Sequence, residues 1–338
     1  MASLPQPDPE ALVSLGKTVL RPGLIWACRS VDGKTELIDD ADPPEECAFR
    51  WLHLNLADQR SLSWIERSMP MPQAILRAFT TQESEQVGII EKDFAALVLY
   101  DFERDFDWLD TGRIGALHIV VGPNIMLTGR FHPLHTADVV RKRIKDGAAI
   151  ADPAGALALL LGALVDTLDE RVLKVTNGLL AAEDELLSDG AAPDTRALVT
   201  VRRLCTQIHR TIIGMRAALL RIESDASLSP PMVAPIARTT QRLQSIDADV
   251  VAAQAQLRLL RDELDLQAAQ RTNRNIYFLS IMTALLMPAT LVTGFFGMNT
   301  GGLPFAHESG GTALAGLAMV LSSLGTYLAL RLMGFVRQ

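Results

Sequence analysis

The chain has 338 residues, of which 49% are hydrophobic and only 5% are aromatic, and its formal net charge is −7. The acidic balance argues against nucleic acid as a partner. Three cysteines, Cys28, Cys47 and Cys205, are too far apart for a CxxC metal pair and fit a reducing compartment. The first residues, MASLPQPDPE, have neither a basic region nor an apolar core, so no signal peptide is expected.

Residues 1–150 alternate short apolar runs with turn residues, which predicts a cytosolic α/β domain. The apolar runs predict strands, and two segments between them have helical spacing. The predicted strands are 24–30, 49–56 and 94–102, the predicted hairpin is 115–131 with its turn at Gly122-Pro123-Asn124, and the predicted helices are 58–69 and 71–80.

Residues 151–275 predict a cytosolic helical region, interrupted near residues 188–195 and 227–235. Within it, the apolar run 154–165 is only 12 residues long and is bounded by Asp152 and Asp166. That length is too short to cross a membrane, so a buried helix is expected.

The last part of this region, about 236–275, predicts a long stalk helix. Its apolar residues repeat at steps of three and four, which is typical of a helix that packs lengthwise against others. The helix can run directly into the next apolar segment, giving some 60 residues, or roughly 90 Å at 1.5 Å per residue. Two interpretations stay open: the helix packs on its own domain, or it holds several copies together. The repeat consists of Leu243, Ile246, Val250, Ala253, Leu257, Leu260 and Leu264.

Residues 276–338 predict a transmembrane domain with spans at 276–296 and 312–330. Each span can cross a hydrocarbon core of about 30 Å, and Glu308 is the one charged residue between Asn275 and Leu330. The connecting loop, 297–311, has no basic residue. Basic residues flank both spans, so the positive-inside rule places both termini in the cytoplasm and the loop outside. These flanking residues are Arg271, Arg274, Arg331 and Arg337.

One side of the first span carries mostly small or polar residues at steps of three and four. Two causes produce such a stripe: close packing against another helix, or a water-filled pore in which Met287 and Ile276 are apolar constrictions. Two spans cannot enclose a pore, so a pore requires several copies around one axis. The stripe consists of Asn273, Ile276, Ser280, Thr283, Met287, Thr290, Gly294 and Gly297.

The polar stretch after this span suits the mouth of such a pore. Gly297, Met298 and Asn299 from each copy would form a ring, in which an asparagine carbonyl and close backbone approach suit a cation that keeps its water shell. His307 and Glu308 are the titratable pair of the loop and would concentrate cations near the mouth. The alternative for that pair is an ordinary polar loop exposed to solvent.

The Gly297-Met298-Asn299 motif, placed between two C-terminal spans, resembles the CorA family of divalent-metal transport proteins. Phe296 before the motif and the sequence TGGLPF at 300–305 look like the ZntB zinc-transport branch of that family. The resemblance implies a funnel-shaped homopentamer in the cell inner membrane, with first spans lining the pore and the motif at its outer entrance. It also implies transport of Zn²⁺, with proton-coupled uptake associated with this branch, and a CorA-type Mg²⁺, Co²⁺ or Ni²⁺ channel is the alternative.

Other classes of function fit less well. The sequence contains no phosphate loop of the Walker type and no pattern for covalent or acid–base catalysis, so an enzyme and a bound cofactor are not expected. His132 and His135 form an HxxH pattern on an apparent loop, for which a structural or solvated role is expected. A membrane-anchored coiled-coil scaffold would explain the stalk and the anchor, but not a polar stripe that ends in Gly297-Met298-Asn299.

Overall fold

The computed structural model describes residues 23–31, 34–38, 49–82, 85–104, 113–187, 195–298 and 310–335. These residues belong to two compact units, Met1–Arg258 and Leu259–Gln338. The strands are β1 (Leu24–Val31), β2 (Lys34–Ile38), β3 (Phe49–Asn55), β4 (Val87–Glu91), β5 (Phe94–Phe102), β6 (Ile114–Val121) and β7 (Ile125–Arg130). The helices are α1 (Gln59–Ser68), α2 (Gln73–Thr80), α3 (His135–Lys145), α4 (Pro153–Leu187), α5 (Thr195–Glu223), α6 (Pro230–Phe296) and α7 (Gly311–Leu332).

The first unit is built on a seven-stranded mixed sheet with the order β2-β1-β3-β7-β6-β5-β4. Strands β3 and β7 pair in parallel, and all other neighbours pair antiparallel. The predicted strands, the β6–β7 hairpin and both predicted helices are confirmed. Strands β2 and β4 were not predicted, because each has only five residues and lies at an edge of the sheet.

Helices cover both faces of this sheet. The apolar sides of α1 and α2 pack on one face, where Ile65 and Phe79 meet Leu52 and Leu127. Helix α5 packs against β4 and β5 on the other face. The close contact between β4 and α5 requires a glycine at position 88, because a Cβ there would collide with the carbonyl oxygen of Ala218.

Helix α3 is held at its N-terminus by a carboxylate from the sheet. Leu134, the residue before α3, provides no side-chain cap. Asp101 of β5 accepts hydrogen bonds from the backbone N–H of Thr136 at 2.9 Å and from its hydroxyl at 2.8 Å. Asp101 is buried, and this burial raises the pKa of its carboxyl to about 6.

Helices α4, α5 and the first part of α6 form a bundle held by polar contacts. Asp166 of α4 accepts hydrogen bonds from Arg143 at 2.7 Å and from Arg242 of α6 at 2.8 Å. Asp247 of α6 pairs with His209 of α5 at 2.7 Å. Most of the apolar run 154–165 lies buried in α4, which confirms the predicted buried helix.

Helix α6 is continuous over 67 residues, which confirms that the stalk runs into the first apolar segment. The helix begins at Pro230, six residues before the predicted start at 236. The prediction began the helix after Pro235, but the first six residues of the helix include three prolines: Pro230 and Pro231 in its first turn, where backbone N–H groups need no partner within the helix, and Pro235 as its sixth residue. The predicted domain limit at 275 falls inside this helix, and the limit at 150 falls between α3 and α4.

The apolar repeat of the stalk is already buried within one chain. Leu243, Ile246, Val250, Ala253 and Leu257 are each at most 6% exposed, Leu260 is also buried, and Leu264 is half-exposed. The interpretation in which the helix packs on its own domain accounts for this burial. The repeat is therefore no evidence for contacts between copies.

Substitutions at two adjacent valines of α6 test whether the apolar repeat is buried within its own chain. Val250 is 1% exposed and Val251 is 49% exposed. Val250→Ala leaves a cavity in the bundle and is expected to lower the free energy of unfolding by roughly 1–3 kcal/mol. Val251→Ala is the matched control and should change it by less than about 0.5 kcal/mol. Urea unfolding of the two variants makes the comparison, and equal losses would contradict the assignment.

The buried Asp101 predicts a pH dependence of stability. Its pKa in the folded chain, about 6, lies above its ordinary value of 3.8, so the unfolded chain releases this proton at lower pH. The contribution of Asp101 to stability therefore falls as pH rises between these two values, by roughly 3 kcal/mol, and is constant above them. Asp101→Asn cannot ionise, so the variant should gain stability relative to the wild type across this window.

Urea unfolding of both proteins at several pH values between 4 and 7 measures the difference. Asp262→Asn, on an exposed position of α6, is the control for losing one carboxylate. A difference between Asp101→Asn and wild type that does not vary with pH would show that Asp101 is ionised throughout.

Candidate functional site

The second unit contains the two apolar segments predicted to cross a membrane. Among the residues that the structure describes, α6 and α7 are the helices long and apolar enough to do so, each with a segment of mean hydropathy 1.8. The first predicted span ends with α6 at Phe296, and the second, 312–330, lies within α7. Arg271 and Arg274 before the first span and Arg331 after the second are exposed.

One face of α6 packs against α7. The Ser323 hydroxyl of α7 donates a hydrogen bond to the backbone carbonyl of Leu285 at 3.2 Å, which marks the side of α6 that faces α7. On α7 the half-buried positions recur at steps of three and four around Ser323. The half-buried positions of α6 in this segment are Ile281, Ala284, Leu285, Pro288, Ala289, Val292 and Phe296.

The predicted stripe lies on another side of α6. All eight of its positions are exposed, from Asn273 through Thr283 to Gly297. At 3.6 residues per turn, the stripe and the half-buried face point in roughly opposite directions. Helix α7 therefore does not cover the stripe, and packing within the hairpin cannot explain its small and polar residues. The two explanations still open for these residues are a contact with another copy of the chain and a path for water.

The hydroxyl groups of the stripe have a common orientation. Ser280 donates its hydrogen to the carbonyl of Ile276 at 2.8 Å, and Thr283 donates to the carbonyl of Leu279 at 2.9 Å. Thr290 donates in the same way to the carbonyl of Leu286 at 2.9 Å. Because each hydrogen is used within the helix, the lone pairs of the oxygen remain available outside it. The stripe thus offers acceptors, which suit a cation or the water around it.

The apolar members of the stripe are also uncovered. Met287 is 61% exposed and Ile276 is 57% exposed, as are apolar residues off the stripe such as Leu291 at 71%, so their role as constrictions stays a prediction. Pro288 follows Met287 and has no N–H, so the carbonyl of Ala284 lacks its usual partner one turn later. The helix nevertheless continues to Phe296.

The structure describes only the first part of the predicted ring. Gly297 closes the end of α6 by donating its N–H to the carbonyl of Thr293 at 2.9 Å. A Cβ on Gly297 would lie 3.0 Å from that same oxygen, so a side chain there is crowded. Met298 is 46% exposed. Asn299, His307 and Glu308 lie outside the described residues, and their roles stay predictions.

No metal-binding cluster is found in the described part of the chain, where no three His, Cys, Asp or Glu side chains come together. His135 is the first residue of α3, so the predicted loop at the HxxH pattern was wrong at this position. His53 is buried beside the Thr128 hydroxyl at 2.9 Å, and burial lowers its pKa to about 3. Cys28 and Cys205 are buried thiols, and burial raises the pKa of both.

Sequence reasoning missed Ser323, the residue that orients the hairpin. A pair of hydroxyl residues, Ser322 and Ser323, interrupts the apolar run of α7 and could have indicated a contact with another helix. Its partner is a backbone carbonyl, which no side-chain pattern reveals.

Comparison with known proteins agrees with the family resemblance found in the sequence. The model of the family described as CorA-like Mg2+ transporter protein matches residues 46–332. The chain is 24% identical over 306 residues to the zinc transport protein ZntB of Cronobacter sakazakii, covering 88% of this chain and 91% of the relative. It is also 24% identical over 302 residues to ZntB of Pectobacterium atrosepticum, covering 86% and 89%.

Solved structures show the same fold. The full-length CmaX protein superposes with a TM-score of 0.76 at 19% identity, covering 92% of this chain and 98% of that one. The CorA magnesium transporter of Methanocaldococcus jannaschii gives a TM-score of 0.77 at 15% identity, with the same coverage. The cytoplasmic domain of ZntB from Vibrio parahaemolyticus gives 0.62 at 13% identity, covering 74% of this chain and 99% of that one.

Cysteine substitution tests the two faces of α6. Thr283, Met287, Thr290 and Gly294, changed singly to Cys, should react with a water-soluble thiol reagent in membranes, because reaction requires the thiolate and hence water. Leu285→Cys and Val292→Cys are the controls, since both positions are half-buried. Mass spectrometry of the modified chains measures the extent of reaction. Equal protection at all six positions would favour helix packing over a water path.

Proposed function

Because the chain belongs to the family of CorA-like Mg2+ transporter proteins, we propose that it carries divalent cations across a membrane along the polar stripe of α6. The single observation that supports this most is the exposure of the whole stripe on the side of α6 away from α7. Acceptor oxygens on an otherwise apolar helix suit a cation that moves with its water shell.

The proposed path requires several copies of the chain. A single hairpin leaves the stripe open on one side, where the free lone pairs of its hydroxyl oxygens would face lipid. We propose a homopentamer, the assembly that the family resemblance implies, with one first span from each copy around the axis. The interface is proposed for the spans, since the apolar repeat of the stalk is buried within its own chain.

The proposed ion is Zn²⁺, with uptake coupled to protons. The supporting features are Phe296, the TGGLPF stretch at 300–305, and the names of the relatives in Cronobacter and Pectobacterium. A Mg²⁺, Co²⁺ or Ni²⁺ channel is the second candidate, favoured by the family description and by the structural likeness to a magnesium transporter. A path lined by neutral oxygens requires little dehydration and suits either type of hydrated ion.

The proposed entrance is the ring of Gly297, Met298 and Asn299, on the side of the membrane away from the termini. Exposed arginines flank the two spans, which supports cytoplasmic termini in a cell inner membrane. His307 and Glu308 would raise the local concentration of cations at this mouth. A membrane-anchored scaffold accounts less well for the stripe, because an anchor needs no row of hydroxyls on its uncovered side.

Replacing Asn299 tests the proposal. Asn299→Leu would turn the polar ring into an apolar collar, and a hydrated divalent ion cannot easily shed its water to pass one. We expect flux of Zn²⁺ into liposomes containing the purified variant to fall nearly to the level of empty liposomes. Gly297→Val should be similarly harmful, since a β-branched side chain at this crowded position blocks close approach of the backbone.

The matched control is Asn275→Leu, the same chemical change at an exposed asparagine off the stripe. This variant should keep its flux, and size-exclusion chromatography should show that all variants assemble as the wild type does. Measuring the flux of Mg²⁺ as well as Zn²⁺ into the same liposomes shows which of the two candidate ions is transported. Normal flux in Asn299→Leu would contradict the assignment of the ring.

A further inference from the structure

An open cleft in the first unit combines basic and apolar walls. It lies between α5 and strands β5 and β6 and has a volume of about 750 Å³. Its apolar wall is formed by Tyr100, Ile114 and Val199, the last of which is 52% exposed. All of its lining residues belong to residues 1–258, so the cleft is separate from the stripe of α6.

Three arginines of α5 line the other side of this cleft. Arg202, Arg203 and Arg210 lie within eight residues of each other, or about 12 Å along the helix. Among the residues that the structure describes, no carboxylate forms an ion pair with any of the three. Like charges this close on one helix repel each other, so three arginines without an acidic partner among the described residues stand out in a chain with a net charge of −7.

The floor of the cleft contains a polar group without a partner. Thr211 lines the cleft and is 2% exposed, and its hydroxyl has no hydrogen-bond partner in the described part of the chain. A buried hydroxyl is normally paired, so a partner supplied from the cleft would satisfy it.

The backbone around this hydroxyl is held in place. The Gln86 side-chain amide donates to the carbonyl of Thr211 at 3.0 Å, and its oxygen accepts from the backbone N–H of Tyr100 at 3.0 Å. Gln86 thus ties both walls of the cleft together. Because the backbone is already fixed at this point, ligand binding costs little backbone conformational entropy.

We propose that this cleft binds a nucleoside polyphosphate. Guanidinium groups match phosphate oxygens in a bidentate manner, and three of them within about 12 Å can reach two or three adjacent phosphoryl groups. On binding, rotation of the Thr211 side chain brings its unpaired hydroxyl within reach of one of these oxygens. The apolar wall accommodates the base, as in other small-molecule sites with few polar groups on an apolar surface.

Titration calorimetry tests the proposal on the full chain in mild detergent, with EDTA present and ATP as the probe. We expect saturable binding of one ATP per chain. The double variant Arg203→Gln, Arg210→Gln should weaken it at least tenfold, and the corresponding lysine variant should lose less because it keeps the charge. Tripolyphosphate should bind several-fold more weakly than ATP, and equal affinity would overturn the role of the apolar wall.

Two further variants keep the test decisive. Arg238→Gln with Arg258→Gln removes the same charge from exposed positions of α6 and should leave ATP affinity unchanged. Thr211→Val should weaken binding several-fold while the melting temperature stays the same or rises, since its hydroxyl is unpaired in the fold. Absence of saturable ATP binding, or an equal loss in the α6 control, would overturn the proposal. Metal flux enters none of these measurements, so the result is independent of the proposed transport.

Discussion

The hydrocarbon core of a membrane offers no partners to polar atoms, so a transmembrane helix with a polar side is costly unless protein or water covers that side. In α6, hydroxyls and glycines occupy one side, and the hydrogen bond between Ser323 and Leu285 directs α7 to the other. The hairpin is therefore complete as a helix pair but leaves its polar side uncovered. Several copies around an axis would cover that side and would enclose water against the same oxygens.

The first unit does not share this incompleteness. Its sheet is covered on both faces, and the helices α4, α5 and α6 bury the apolar repeat of the stalk among themselves. Asp166 joins α4 to α6 through its ion pair with Arg242, and Asp247 joins α6 to α5 through its hydrogen bond with His209. The features that call for a partner are thus concentrated in two places: the stripe of α6, and the arginine-lined cleft beside β5 and β6. These differ in chemistry, since one offers oxygen acceptors and the other offers guanidinium donors.

Much of this architecture could be predicted from local patterns. Alternation and turn residues gave the central strands and the β6–β7 hairpin, and long uncharged runs located both apolar helices. The edge strands β2 and β4 were missed because strands of five residues carry too little periodicity. The start of α6 at Pro230 was missed because prolines usually mark a break, whereas this helix has two in its first turn and continues through Pro235.

The sequence could not reveal which neighbouring helix covers each face of α6. Periodicity identified the repeat that includes Leu243 and Val250, but the same pattern fits packing within a chain or between chains. Periodicity also identified the stripe, but not the position of α7 relative to it, because α7 contacts the backbone carbonyl of Leu285, which no side-chain pattern reveals.

If the uncovered stripe of α6 lines a path between several copies of the chain, the purified protein in mild detergent must be an oligomer, and its mass decides this. Native mass spectrometry at several protein concentrations gives the number of chains per particle. We expect a single symmetric oligomer of five copies that persists on dilution. A protein that is monomeric under these conditions would contradict it, because one hairpin cannot enclose a path for ions.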